Sequence, residues 1–84
     1  MKILFAERAW EDYLYWQRTD KAILRRINQV IGDIQREPSE GIGKPELLRF
    51  GLSGYWSRRI DSQHRLVYKV DGDVLYVVQC RYHY

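Results

Sequence analysis

Residues 64–82 have the sequence HRLVYKVDGDVLYVVQCRY, which is rich in valine, leucine and tyrosine on both sides of the pair Asp71-Gly72. Glycine adopts positive φ angles without steric cost, and an Asp-Gly pair between two apolar runs is a strong signal for a β-hairpin. The stretch therefore predicts two paired strands, His64–Asp71 and Asp73–Tyr82, as the centre of a sheet.

Alternation along these two strands assigns their side chains to the two faces of the sheet, because successive residues of a strand point in opposite directions. The apolar sets are expected to face helices: Leu66, Tyr68 and Val70 on the first strand, and Val74, Tyr76, Val78 and Cys80 on the second. The opposite, uncovered face then receives a more polar set: Arg65, Lys69, Leu75, Val77, Gln79, Arg81 and His83. A face with cations, aromatic neighbours and one histidine is suited to hold RNA.

Upstream of the hairpin, residues 55–61 predict a further strand, and residues 38–45 (PSEGIGKP) predict a loop. Arginine falls on both faces of the strand, at Arg58 and Arg59, so alternation leaves its orientation open. The order of these elements places the strand beside the hairpin in an antiparallel sheet.

Two helices are expected before the loop. The second is the clearer, because its apolar residues form one continuous stripe at helical spacing: Ile23, Leu24, Ile27, Val30, Ile31 and Ile34. Thr19 and Asp20 are both good cap residues for its start, and Pro38 ends it. Its polar face is interpreted as plain solvation, with no role for its members: Lys21, Arg25, Arg26, Gln29, Asp33 and Arg36.

The first helix is expected over Glu7–Trp16, after a short strand at Lys2–Ala6. Trp10, Tyr13 and Trp16 recur at helical spacing and are interpreted as core or interface residues. The resulting order, β-α-α-β-β-β, predicts an α+β fold with two helices packed on one face of a largely antiparallel sheet. Eighty-four residues are enough for one domain, residues 1–84.

The chain has a single cysteine, Cys80, which excludes an intramolecular disulfide and a zinc site built from several cysteines. Its position in an apolar strand favours a buried structural thiol over a nucleophile. Neither a secretion signal nor an apolar run near the ~20 residues of a membrane span is present in the sequence. We therefore expect a cytoplasmic protein without a membrane segment.

Charge is distributed unevenly between the two halves of the chain. Residues 1–43 carry seven basic and seven acidic side chains, whereas residues 44–84 carry seven basic and four acidic ones. The asymmetry indicates a surface in the second half that faces a polyanion, although a solvated basic face is the alternative interpretation.

RNA cleavage by an internal 2′-hydroxyl needs a base, an acid and cations, and glutamate, histidine and arginine can supply all three. His64 and His83 are the two histidines; His83 is the better proton carrier, since His64 starts a strand as a turn or capping residue. No metal or cofactor site can be identified, so none is expected. Ordinary interpretations also exist for residues of these types. A lone glutamate such as Glu46 is more often a surface residue than a base, Arg65 can pair with Asp61 or Asp73, and His83 can be idle near the end of the chain. The residues alone favour a generic interaction domain.

Several short motifs favour a more specific function than a generic interaction domain. The sequence contains DYLYWQ (12–17), GKPELL (43–48), LSGYWSRRI (52–60), HRLVY (64–68) and CRYHY (80–84) in one order along its full length. In these motifs the chain resembles the YoeB-type toxins of the RelE superfamily. The resemblance implies a microbial ribonuclease fold, ribosome-dependent cleavage of messenger RNA, neutralisation by a YefM-type antitoxin, and pairing of the toxin with itself.

The resemblance also implies roles for individual residues. Glu46 would be the general base, His83 the general acid and Arg65 the cation that stabilises the phosphorane, while Tyr84 would position the substrate. Further RNA contacts are expected from a basic set: Lys44, Arg49, Arg59 and Arg81. Arg49 departs from the family pattern, which has lysine there; the exchange keeps the positive charge for binding RNA but not the point-charge ammonium. A module that binds RNA or the ribosome without cutting is the competing hypothesis.

One expectation concerns the end of the last strand. In a regular strand Tyr84 would point away from the face that carries His83. If both side chains serve one site, the strand must twist or end before them.

Overall fold

The computed structural model describes residues 1–49, 51 and 54–83. It contains two helices and a five-stranded sheet, whose elements have these bounds: β1 Lys2–Phe5, α1 Glu7–Thr19, α2 Lys21–Arg36, β2 Glu46–Leu47, β3 Trp56–Arg59, β4 Arg65–Asp71 and β5 Val74–Gln79. The strand order across the sheet is β1-β5-β4-β3-β2, with β1 parallel to β5 and the other neighbours antiparallel. The predicted α+β class is confirmed. The short strand β2 is an addition, since the sequence predicts no strand at that point.

Helix α2 begins and ends where its sequence predicts. The carboxylate of Asp20 accepts hydrogen bonds from the backbone N–H groups of Ala22 and Ile23, at 3.1 and 3.2 Å. Such a cap satisfies donors that have no partner inside the helix. The helix ends at Arg36, two residues before Pro38. The apolar stripe is buried from Ile27 to Ile34 and half-buried at its start, so the helix packs against the core along this face.

The core lies between the two helices and one face of the sheet. Its buried members come from every layer: Ala9, Trp16, Ile27, Val30, Ile31, Ile34, Ile60, Leu66, Tyr68, Leu75, Val77 and Cys80. Each large apolar side chain buried there stabilises the fold by about 1.5–3 kcal/mol. Trp16 is thus a core residue as predicted, whereas Trp10 keeps 47% of its surface exposed.

The burial of side chains along β5 shows that the predicted assignment of its residues to the two faces of the sheet is wrong. Leu75 and Val77, expected on the uncovered face, are fully buried in the core, and the expected core residues Val74, Tyr76 and Val78 are only half-buried. Both faces of this strand are rich in apolar residues, so alternation alone does not distinguish the inner one.

A β-bulge at Val78 then reverses the alternation. Val67 pairs with Gln79 while the next residue, Tyr68, pairs with Val77, so Val78 has no partner of its own. One extra residue moves every later side chain to the other face. Gln79 therefore lies on the face opposite the helices, and Cys80 returns to the core as predicted.

The last strand is also shorter than predicted. Strand β5 ends at Gln79, and residues 80–83 form a tail outside the ladder in which Tyr82 has φ 64°. A strand that ends before His83 is one of the two conditions expected for a shared site. Tyr84 lies outside the described residues. Within those residues, neither helix has the length and apolar character that crossing a membrane requires.

Candidate active site

The sheet face opposite the helices, which we call the open face, carries a row of four side chains from four strands. Glu46 pairs with Ser57, Ser57 with Val67, and Val67 with Gln79. Directly paired residues share a face, and neighbouring strands lie about 4.8 Å apart, so the row is roughly 14 Å long. A carboxylate thus lies at one end of the row, and the start of the tail lies at the other.

Arg65 lies in the next row, paired across the sheet with Arg59. Its Nη1 is 3.9 Å from Oε2 of Glu46 and donates to Oγ of Ser57 at 3.5 Å. Arg65 is 14% exposed and Glu46 59% exposed, so the guanidinium lies deeper than the carboxylate. The structure brings together two residues that the sequence assigns to one site. The Asp61 carboxylate, an alternative partner for Arg65, instead accepts from backbone N–H groups of its own turn.

The tail is held on its inner side by helix α1. The Asp12 carboxylate accepts from the backbone N–H of Cys80 at 3.0 Å, and Nε1 of Trp16 donates to the Cys80 carbonyl at 2.9 Å. Nη2 of Arg8 donates to the carbonyl of Arg81 at 3.3 Å. These contacts tie the first two residues of the tail to a helix that is itself part of the core.

Strand β4 and the end of β5 hold the outer part of the tail. The backbone N–H of Arg65 donates to the carbonyl of Tyr82 at 3.0 Å, and the Tyr82 N–H donates to Nδ1 of His64 at 2.7 Å. Nε2 of Gln79 donates to the carbonyl of His83 at 3.1 Å. His83 is exposed, and its backbone carbonyl is tied to the side chain of Gln79 at the end of β5. His64, interpreted from the sequence as a turn or capping residue, does lie in a turn, and its imidazole also binds the backbone of the tail.

Arg81 is not on the open face, and the prediction that placed it there is wrong. Its guanidinium carbon lies 3.5 Å from the centre of the Tyr15 ring and 4.6 Å from that of Tyr82. Contacts at these distances are favourable cation–π interactions. The bulge at Val78 and the end of β5 explain the difference, because Arg81 does not continue the alternation of a strand.

Two of the other predicted basic residues lie together. Lys44 and Arg59 line one shallow pocket, and the backbone N–H of Arg59 donates to the carbonyl of Gly43 at 2.6 Å. Both side chains are exposed, as is that of Arg49. Lys44 and Arg59 therefore extend the basic surface from the open face towards the loop before β2.

A buried arginine that the sequence left without an assignment organises this loop. Arg58 is fully buried, and all five of its N–H donors have partners. Nε donates to the Tyr68 hydroxyl, Nη1 to the Asp33 carboxylate at 2.6 Å, and the remaining donors to loop carbonyls: Ile42, Glu37 and Glu40. An arginine on the apolar face of a strand, paired with Leu66, is the signal that indicates a buried polar partner.

Asp33 is that partner, so its interpretation as a solvated residue of α2 is wrong. Its carboxylate also accepts from the backbone N–H of Ile42 at 2.9 Å and from Nε of Arg36 at 3.1 Å. The hydrogen bond from Ile42, followed by those from Arg58 and Arg36, lowers the pKa of Asp33 to about 2. Burial raises the pKa of Tyr68, whose hydroxyl donates to the Pro38 carbonyl at 2.6 Å. The loop that leads to Lys44 and Glu46 is therefore held by charge and hydrogen bonds.

Among residues 1–49, 51 and 54–83, no three histidine, cysteine or carboxylate side chains are grouped so that they could hold a metal ion. What the open face offers is a carboxylate beside a guanidinium, further cations, and a tail that carries a histidine. This arrangement can move protons and stabilise negative charge.

Known proteins resemble this chain over its full length. The sequence-family model of the YoeB-like toxins of bacterial type II toxin–antitoxin systems matches residues 5–84 of the chain. Toxin YoeB of Escherichia coli strain K12 is 57% identical over 84 residues, with 100% of both chains covered.

Solved structures agree with the sequence comparison. The YoeB/ParE toxin from Agrobacterium tumefaciens has a TM-score of 0.98 and 48% identity, with 100% of both chains covered. The YoeB–YefM heterotetramer and the YoeB dimer from Staphylococcus aureus have TM-scores of 0.93 and 0.94, each at 47% identity over 100% of this chain and 98% of the other. The resemblance indicated by the sequence motifs is confirmed, and the chain belongs to the YoeB-like toxins of bacterial type II toxin–antitoxin systems.

Proposed function

We propose that this chain is an endoribonuclease that cleaves messenger RNA in the ribosomal A site and so inhibits translation in the cytoplasm. The observation that carries the proposal is the pair formed by Glu46 and Arg65 on the open face, beside a tail bonded to the backbone of Arg65. Membership of the YoeB-like toxin family supports the proposal.

The reaction is an internal transfer at phosphorus. Glu46 accepts the proton of the ribose 2′-hydroxyl, whose oxygen attacks the adjacent phosphorus and forms a cyclic phosphate. Arg65 stabilises the negative charge that develops on the phosphoryl oxygens, and His83 donates a proton to the departing 5′-oxygen. The proton lost at one oxygen is matched by the one gained at the other, so the step balances.

The remaining predicted residues bind RNA in this proposal. Tyr84 stacks on a base, and Lys44, Arg49 and Arg59 contact phosphates on the side of the face that carries Glu46. Arg81 contacts RNA from the α1 side of the tail. The row from Glu46 to Gln79 is roughly 14 Å long, which leaves room for one phosphodiester between the general base Glu46 at one end and the general acid His83 at the other.

We propose that a YefM-type antitoxin neutralises the protein. The heterotetrameric YoeB–YefM complex from Staphylococcus aureus, at 47% identity, supports this partner. An acidic antitoxin segment that folds on binding would cover the basic open face.

We also propose that the protein pairs with itself, as the YoeB dimer from Staphylococcus aureus does. An apolar groove at the β1 edge supports self-association. Its lining includes Ile3, Phe5, Trp10 and Tyr13, with Trp10 47% exposed and stacked on Tyr13.

The proposal is tested by mapping messenger 5′ ends on stalled ribosomes in a purified translation system. The wild-type protein is expected to cut inside the A-site codon and to leave free RNA intact. His83→Ala and Glu46→Gln are expected to lose roughly 10²–10⁴-fold in cleavage rate, because each removes one proton-transfer group. Glu7→Gln, in the exposed first turn of α1, is the matched control and should cut normally.

The same experiment separates cleavage from blockage. Translation inhibited without any new 5′ end would replace the nuclease with a protein that acts by occupying the ribosome. Normal cutting by both His83→Ala and Glu46→Gln would remove these two residues from the mechanism.

A further inference from the structure

We propose that His64 is a positioning residue that holds the tail where His83 can reach the leaving group. The inference rests on the function proposed above and adds a residue to it. His64 acts through a backbone contact, so it is distinct from the side chains that meet the RNA.

The inference rests on the backbone N–H and the backbone carbonyl of Tyr82, which are bound by two consecutive residues, His64 and Arg65. The Tyr82 N–H donates to Nδ1 of His64 at 2.7 Å, and its carbonyl accepts from the N–H of Arg65 at 3.0 Å. Since a backbone N–H can only donate, Nδ1 must be the acceptor, and the ring must carry no proton on that atom.

Tyr82 needs such a contact because its backbone cannot continue the sheet. Its φ of 64° lies in the left-handed region, which non-glycine residues occupy only where the surroundings hold them. The imidazole of His64 provides the acceptor for the Tyr82 N–H that a neighbouring strand would otherwise supply. His64 therefore stabilises the turn by which the chain leaves β5.

The imidazole is itself held in place. Its ring lies edge-on to Trp16, with ring centres 4.8 Å apart, and Trp16 also donates to the Cys80 carbonyl. The backbone of His64 is tied on both sides, since its N–H donates to Asp61 Oδ1 at 2.7 Å and its carbonyl accepts from Ile60. A ring with this support is a rigid anchor for the tail.

Tyr82, the residue that His64 anchors, lies one position before His83. The His83 backbone itself accepts a hydrogen bond from the side chain of Gln79. Release of Tyr82 would let the imidazole of His83 move by an ångström or more, and a displacement of that size can lower a rate by about 10²-fold. Binding to the ribosome depends on the charged surface and would be retained.

The test compares His64→Leu with His64→Asn. Leucine keeps an apolar contact with Trp16 but has no acceptor, whereas Oδ1 of asparagine lies at the same number of bonds from the backbone as Nδ1 of histidine. Gln63→Leu, at an exposed position of the same turn, is the control. For each protein, the cleavage rate on programmed ribosomes, the KM and the hydrogen exchange of the Tyr82 amide in the free protein are measured.

We expect His64→Leu to lose roughly 10–100-fold in kcat with KM changed by less than about threefold. Its Tyr82 amide should exchange much faster than in the wild type, while amides of α2 keep their protection. His64→Asn should regain most of the rate and of the protection, and Gln63→Leu should resemble the wild type.

Two outcomes would overturn the inference: equal kcat losses in His64→Leu and His64→Asn, or unchanged Tyr82 exchange in His64→Leu. A wild-type protein that cuts no RNA would refute the proposed function instead. The exchange measurement would then still decide whether His64 anchors the tail, because it needs no catalysis.

Discussion

The thiol of Cys80 lies in the core and approaches the carbonyl oxygen of Ala9 at 3.6 Å. Burial, and to a lesser degree the negative charge of Asp12, raises its pKa to about 12. Since the thiolate is the reactive form, Cys80 is chemically inert at neutral pH. The sequence-based prediction of a buried structural thiol is confirmed, and this residue cannot act as a nucleophile without unfolding.

We therefore expect Cys80 of the native protein to resist a disulfide reagent at pH 8, and to react fully within minutes in guanidinium chloride. The reaction is followed by the absorbance of the released aromatic thiol. Rapid labelling without denaturant would contradict the burial of this side chain.

At the scale of elements, the connection from α2 to β2 shows how one buried cation shapes a loop. Arg58 binds the carboxylate of Asp33 and three carbonyls of residues 37–42, so the loop is drawn onto the end of the helix. Four residues later the chain reaches Glu46. The position of the proposed base thus depends on a hydrogen-bond network in the neighbouring layer.

Removal of the Arg58 guanidinium should destabilise the folded protein. Arg58→Met is expected to lower the free energy of unfolding by about 3–5 kcal/mol, because it leaves the partners of a buried charge unsatisfied. Arg25→Met, at an exposed position of α2, should change it by less than about 0.5 kcal/mol. Urea unfolding followed by tryptophan fluorescence measures both values, and similar losses in the two variants would argue against the network.

The same network makes stability depend on pH in acid. The pKa of Asp33 is lowered from 3.8 to about 2 in the folded protein, so the unfolded chain binds a proton first as pH falls. The stability from this carboxylate is complete above about pH 4 and is lost as pH falls from 3.8 to about 2. Urea unfolding at pH 5, 4, 3 and 2 should show a shallower decline for Asp33→Asn than for the wild type. Asp71→Asn, at an exposed hairpin residue, should decline like the wild type.

At the scale of the whole molecule, charge and architecture coincide. The basic excess belongs entirely to residues 44–84, which contain four of the five strands of the sheet, β2 to β5. Arg59, Arg65 and Lys69 fall on the open face, and Nζ of Lys69 lies 5.5 Å from the centre of the Tyr55 ring. The face away from the helices is thus both basic and partly aromatic, as expected for a surface that meets RNA.

Two charge reversals of equal size, one on the open face and one on α2, should therefore differ in their effect on ribosome binding. Lys69→Glu is expected to weaken ribosome binding about tenfold at 0.1 M salt and to reduce its salt dependence. Lys21→Glu, at the exposed start of α2, should leave both nearly unchanged. Binding is measured by co-sedimentation over a series of salt concentrations, and equal effects would mean that only net charge matters.

Features that depend on neighbouring residues could be predicted from the sequence. The Asp20 cap, the stripe of α2 and the turn at Asp71-Gly72 each involve residues within about one helical or hairpin turn, and all three are confirmed. The family motifs likewise lie in short segments, and the family is confirmed. The roles assigned to Glu46, Arg65, His83 and Tyr84 stay predictions.

The sequence by itself therefore determined the fold class, the α2 boundaries and the family, because local periodicity and turn chemistry are properties of short segments. Only the tertiary structure decided which face of β5 is buried, since both faces are apolar and the bulge at Val78 reverses their order. It also decided that Arg58 meets Asp33 and that His64 meets Tyr82, 25 and 18 positions apart in the chain. Contacts between such distant residues arise from how the layers pack, which no local pattern records.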